Sequence, residues 1–135
     1  MYRDHDVLKS WVEKKNLQRR IDQLAKKYKD KKVLIYGAGI LSSIIFDNYN
    51  LSGLNIVAVT DQKFFGSDES FKEHKGISPY DISELKSEVI LIATYNTGNI
   101  KDFLKEEILP EMGKVPVEPL VNKNLKEKIA EFLED

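Results

Sequence analysis

The sequence predicts an α/β protein: an open, mostly parallel sheet with helices on both faces and an additional N-terminal helix. Three observations predict it. Short continuous apolar runs, "KVLIYG", "NIVAVTD" and "EVILIATYN", have the composition of strands buried on both faces of a parallel sheet. Segments of helical periodicity separate them, as alternating strands and helices require. A glycine-containing turn, "YGAG", joins the first run to the helix that follows it.

The elements follow in order. Between Asp6 and Tyr28, the residues Val7, Leu8, Trp11, Val12, Leu17, Ile21, Leu24 and Tyr28 fall mostly three or four apart among charged residues, which predicts an amphipathic helix. The lysines of "KKYKDKK" suit a solvated helix C-terminus. "KVLIYG" is the first strand, "ILSSIIFDNYN" a helix through Ile40, Leu41, Ile44, Ile45 and Tyr49, and "NIVAVTD" the second strand. Together they make a βαβ unit of roughly thirty residues, for which a right-handed crossover is expected. "QKFFGSDESFKEHKG" is polar and aperiodic and reads as an exposed loop. A short helix is expected near Ser78 with Pro79 at its first position. The third buried strand, "EVILIATYN", precedes a helix starting near Asn99, a short strand in "VPVEPLV" and an amphipathic helix through Leu125, Ile129, Phe132 and Leu133. The expected organisation is an N-terminal helix over residues 1–30, a nucleotide-binding core over 31–122 and a C-terminal helix over 123–135 that packs on the core.

At 135 residues and 41% hydrophobic, the chain suits one modest core. The balance of 21 basic against 22 acidic side chains disfavours a nucleic-acid partner. The absence of cysteine excludes disulfide scaffolds, thiolate metal sites and cysteine nucleophiles. No apolar run is long enough to span a bilayer and no signal core follows the N-terminus, so a cytoplasmic, membrane-free protein is expected.

Function is most legible in "VLIYGAGILSS". Gly37 permits the tight turn at the strand end, Gly39 leaves room for a phosphate beside the backbone, and the helix from Ile40 aims its free N–H groups at that phosphate. Ser42 replaces the third glycine of the Gly-x-Gly-x-x-Gly fingerprint with another small residue. Asp61 closes the second strand 22 positions after Gly39, near the spacing at which a carboxylate meets ribose hydroxyls and repels a 2′-phosphate, which favours NAD over NADP. The bland alternatives are a structural βα turn and a solvated acid capping a loop. Thr94, Tyr95 and Asn96 follow the third strand and are expected at the same crevice, Thr94 and Asn96 as hydrogen-bonding groups and Tyr95 as a stacking ring. An ordinary polar loop is the competing reading.

Catalytic groups are not evident. Tyr28 and Lys32 match a Tyr-x-x-x-Lys spacing but precede the first strand, and the serines near Ser42 lack a nucleophile elbow. His5 and His74 have no metal or triad pattern around them, although His74 would approach a ligand if its loop folded over the crevice.

"VLIYGAGILSSIIFDNY", "NIVAVTDQKFFG", "GISPYDISEL" and "VILIATYN" resemble, in order and spacing, the small Rossmann-like domains of polysaccharide-biosynthesis dehydratases and epimerases and of sugar acyltransferases. CoA-binding domains and the NADH-sensing domain of Rex-type repressors are similar too. The resemblance spans roughly Lys31 to Ile100; such domains usually carry Gly or Ala at the position of Ser42. It implies a cofactor site at Gly37, Ala38, Gly39 and Ile40 with a ribose- or uracil-side contact at Asp61, a ligand such as NAD or a nucleotide-sugar, and a link to surface-polysaccharide metabolism. The catalytic parts of those enzymes have no counterpart here, so a stand-alone binding module is expected, as a homodimer or beside a partner enzyme. A ligand-free assembly domain acting through the N-terminal helix is the alternative, and a complete small oxidoreductase ranks below both.

Overall fold

A computed structural model of the chain describes residues 17–64, 69–94 and 96–121. Helix α1 (Leu17–Lys27) is followed by β1 (Val33–Tyr36), α2 (Ile40–Asn48), β2 (Ile56–Thr60), β3 (Ser70–Phe71), β4 (His74–Ile77), β5 (Val89–Ile92), α3 (Thr97–Phe103), α4 (Leu109–Met112) and β6 (Val117–Pro119). The strands form one sheet in the order β3-β4-β2-β1-β5-β6. Every neighbouring pair is parallel except β3 with β4. The expected α/β architecture with a mostly parallel sheet is therefore present.

β1 lies at the centre, and its four residues are buried throughout, as are those of β5. The chain runs outward from β1 through β2 to β4 on one side, then returns to place β5 and β6 on the other. Alternation along the strands divides the core in two. Val33 and Ile35 meet Leu41, Ile44 and Ile45 of α2 and Leu17, Ile21 and Leu24 of α1 on one face. Leu34 and Tyr36 meet Ile82, Ile100, Leu104 and Ile108 on the other. Each large aliphatic side chain so buried contributes about 1.5–3 kcal/mol relative to exposure.

The described part of the N-terminal amphipathic stripe is thus turned onto its own sheet: Leu17, Ile21 and Leu24 are buried within the chain. The rest of the expected N-terminal helix, with Trp11, the terminal His5, and the C-terminal helix expected over 123–135 lie outside the described residues.

Two expectations need correction. The polar segment after β2, read as a loop, contains the β3–β4 hairpin. Its turn is made by Lys72 and Glu73, both with positive φ (50° and 70°), where Asn and Gly would announce a hairpin. β4 adds Gly76 and Ile77 to the sheet beside Val59 and Thr60, and the Thr60 hydroxyl donates to the Ile77 carbonyl at 2.7 Å. Helix α3 starts at Thr97, two residues before the expected Asn99. It widens by one residue per turn over Leu104–Ile108, directly before α4 and Pro110, whose missing N–H and bulky ring break the regular ladder. The short helix at Pro79–Leu85 starts where expected, with the Ser78 hydroxyl accepting from the Tyr80 N–H at 3.3 Å.

α1 is fastened to the edge strand β6 by Glu118. Its carboxylate accepts a hydrogen bond from the Tyr28 hydroxyl, pairs with Lys27 at 2.9 Å and lies 3.6 Å from Arg20. The Arg20 guanidinium also donates to the Pro119 carbonyl at 2.9 Å. Burial pushes the Glu118 carboxyl up, but the Tyr28 and Lys27 hydrogen bonds and the two cations outweigh it, holding the pKa below its ordinary 4.5. A carboxylate with a depressed native pKa stabilises the fold above its unfolded pKa and loses that contribution as pH falls through the native value. Tm should therefore fall on acidification below about pH 4.5, and Glu118→Gln should lower Tm at pH 7 while flattening the acid limb. Calorimetry between pH 3 and pH 7 checks this; parallel curves for the two proteins would refute it.

Candidate functional site

Because β1, β2 and β5 are parallel, their C-terminal ends share one edge of the sheet. Gly37, Asp61 and Thr94 emerge there together. The order of strands changes direction at β1, so this edge lies where an open α/β sheet leaves a crevice between diverging connections.

Gly37 has φ of +133°, a conformation side chains rarely adopt, and its N–H donates to the Thr60 carbonyl at 2.8 Å. A Cβ at this position would stand 2.8 Å from Thr94 Cγ2 and 2.9 Å from the Ala93 carbonyl oxygen. The glycine therefore lets the end of β1 press against the end of β5. Gly39 differs. It caps α2 in an extended conformation, φ −99° and ψ −158°, and a Cβ there would meet no described atom within 4 Å. Among the described residues, nothing fills the space next to its backbone.

α2 begins at Ile40, which is 49% exposed although apolar. The first N–H groups of the helix have no partner within it, and the positive end of the helix dipole faces the same way. Ser42 is fully buried and lets the helix lie close to the sheet, as the third glycine of the fingerprint would; its Oγ has no hydrogen-bond partner among the described residues.

Both backbone polar groups of Ala38, in the peptides on either side of it, are held from the end of β2. The Ala38 N–H donates to Asp61 Oδ2 at 2.8 Å, and the Ala38 carbonyl accepts from Lys63 Nζ. Asp61 Oδ1 in turn accepts from the Lys63 N–H at 3.1 Å. Lys63 Nζ also lies 5.8 Å and 5.6 Å from the ring centroids of Phe64 and Phe71. Asp61, expected to face a ribose, is thus first a brace for the glycine turn, with carboxylate lone pairs remaining for further donors. The sequence reading missed Lys63. The signal available was a lysine two positions after the acid.

On the β5 side, the Thr94 carbonyl accepts from the Thr97 hydroxyl at 3.1 Å, while Thr94 Oγ1 is buried without a partner among the described residues. Asn96 is exposed at the start of α3, and its side chain makes no capping bond. Tyr95 lies outside the described residues. The structure thus brings Gly37, Ala38, Gly39, Ile40, Asp61 and Thr94 together at one edge. His74 is not among them. It begins β4 at the opposite edge, its ring tilted against Phe46 with the centroids 5.4 Å apart.

That opposite edge carries two clefts of roughly 370 and 380 Å³, one lined by Phe46, Leu51, Lys72 and His74 and one by Tyr28, Lys31, Glu88 and Lys114. Neither includes a residue of the glycine turn. In open α/β sheets of this topology ligands generally bind at the other end of the strands. Among the described residues no three His, Asp or Glu side chains converge as a metal site would require, and no helix is long and apolar enough to cross a membrane.

The chain belongs to the family described as C2185-like, N-terminal, which matches residues 29–115, well over half its length. The matched span contains β1 to β5, the glycine turn, Asp61 and Lys63. No curated protein and no solved structure matches the chain.

Proposed function

We propose that this chain is a small Rossmann-like module that binds NAD(H) or a nucleotide-sugar at the turn Gly37–Ile40. The observation that carries the reading is the contrast between the two glycines. Gly37 is required by the packing of the turn, whereas Gly39 is required by nothing described around it. A residue without a side chain, at the N-terminus of α2 and next to open space, suits a phosphate approaching the backbone. Lys63 adds a cation beside the same turn, and Asp61 keeps acceptor capacity for ribose hydroxyls. The resemblance to domains of sugar-nucleotide and surface-polysaccharide enzymes supports the same ligand class. Binding is the whole of the proposed role, performed beside a separate enzyme or as a sensor; among the described residues no side chains at this edge form a nucleophile–base pair.

A thermal-shift screen against NAD, NADH, NADP, CoA, UDP-sugars and S-adenosylmethionine tests the reading. A ligand at 100 times its Kd stabilises the folded state by about 2.7 kcal/mol, which a melting curve resolves easily. The shift should disappear in Gly39→Val, which fills the open space, and shrink in Lys63→Ala, which removes the cation. Silence across the whole panel at millimolar concentration would end the proposal.

A further inference from the structure

Tyr36 is the last residue of β1 and directly precedes Gly37. Its side chain points with Leu34 into the half-core away from α2, where its neighbours are Ile77, Ile82, Ile92 and Ile100. It is 1% exposed, and its hydroxyl has no hydrogen-bond partner among the described residues. Thr60, beside it on β2, already donates its own hydroxyl to the Ile77 carbonyl. Without a partner, this hydroxyl costs the fold what any unpaired buried polar group costs, and phenylalanine would fill the same volume without that cost.

Two groups lie within electrostatic range of the hydroxyl, and both belong to the site's edge. Burial, then the Asp61 carboxylate and Tyr80, push the Tyr36 pKa up to about 12, so the group remains a proton donor at neutral pH. Tyr80 sits on the Pro79–Leu85 segment, 61% exposed, with its ring edge-on to Phe103 at 6.2 Å. A hidden donor and an exposed aromatic ring therefore flank the end of β1 on the face opposite α2.

We propose that Tyr36 is a ligand-recognition residue: its hydroxyl donates to a ring nitrogen or carbonyl of a nucleobase that lies against Tyr80, while the attached phosphate occupies the Gly37–Ile40 turn. The proposal rests on the phosphate reading of that turn and specifies a nucleoside phosphate over a bare sugar phosphate.

The test compares wild type with Tyr36→Phe, which keeps the ring and removes one oxygen. Calorimetric titrations use ADP, UDP, ribose 5-phosphate and pyrophosphate, and each protein is also melted without ligand. For ADP or UDP the affinity of the variant should fall about two- to tenfold, the range of one net hydrogen bond. Pyrophosphate and ribose 5-phosphate should bind both proteins equally, and the ligand-free variant should melt no lower than wild type. A merely structural tyrosine would lower the melting temperature and weaken all four probes together. Unchanged nucleotide affinity in a folded variant overturns the assignment. Equal wild-type affinity for pyrophosphate and the nucleotides removes the base subsite and leaves the phosphate turn standing, whereas no binding by any probe removes both.

Discussion

Gly37→Val should lose most of its cooperative folding, while Gly39→Val, two positions on, should fold as wild type does. At Gly37 the new Cβ meets Thr94 Cγ2 at 2.8 Å and the Ala93 carbonyl at 2.9 Å, with backbone on one side that cannot step away. The φ of +133° adds conformational strain of roughly 1–3 kcal/mol for any other residue. With the clash, the sum reaches about 3 kcal/mol or more, a large part of the 5–15 kcal/mol typical of a native domain. Gly39 is already extended at φ −99°, a conformation β-branched residues favour, and faces open space, so its substitution should change stability by no more than about 0.5 kcal/mol. Urea denaturation followed by circular dichroism separates the two. Wild-type stability in Gly37→Val would contradict the packing of the turn described above.

Gly76→Ala is expected to detach the β3–β4 edge. Gly76 pairs with Val59 of β2, and its N–H donates to the Glu69 carbonyl at 2.8 Å, which brings two backbones together. A methyl group there would sit 2.5 Å from that carbonyl oxygen and 3.1 Å from the Phe64 ring. Since Phe64 is buried, the ring has little freedom to yield, and the Glu69 backbone must move out. Overpacking of this kind costs about 1–3 kcal/mol, near 4 °C in Tm for each kcal/mol in a chain of this size. Hydrogen exchange should localise the damage, with protection lost in His74–Ile77 and kept in β1 and β5. Uniform loss across the sheet would argue that the edge and the centre form one cooperative unit.

The centre of the fold was legible because its strands are apolar on both faces: "VLIY", "IVAVT" and "VILI" advertise burial by composition alone. The edge was not. β3 is two residues long, β4 has only Gly76 and Ile77 buried, and Lys72 and Glu73 turn the chain without the residues that mark such turns. In the site, Gly37, Gly39 and Asp61 could be singled out because a glycine turn and an acid at a strand end form a recognisable spacing, although Gly37 packs on Thr94 and Ala93 and Asp61 binds the Ala38 N–H, all far along the chain. Lys63 was missed because no part of the glycine fingerprint marks a lysine two positions after the acid; it meets the carbonyl of Ala38, 25 positions earlier. Tyr36 was counted as one more apolar residue in a strand. Only the packed half-core shows that its hydroxyl is buried without a partner among the described residues.

The double hold on Ala38 has a thermodynamic consequence. A glycine turn left to itself samples many backbone conformations, and whatever binds it must first select one and lose that entropy. Here the selection is completed during folding, because Asp61 fixes the amide and Lys63 the carbonyl of the same residue. The turn is preorganised, and under the proposed reading little of a ligand's interaction energy would be diverted to ordering it. Affinity in such a site resides partly in the rigidity of the end of β2, and substitutions at Asp61 or Lys63 would act as much by loosening the turn as by removing a charge.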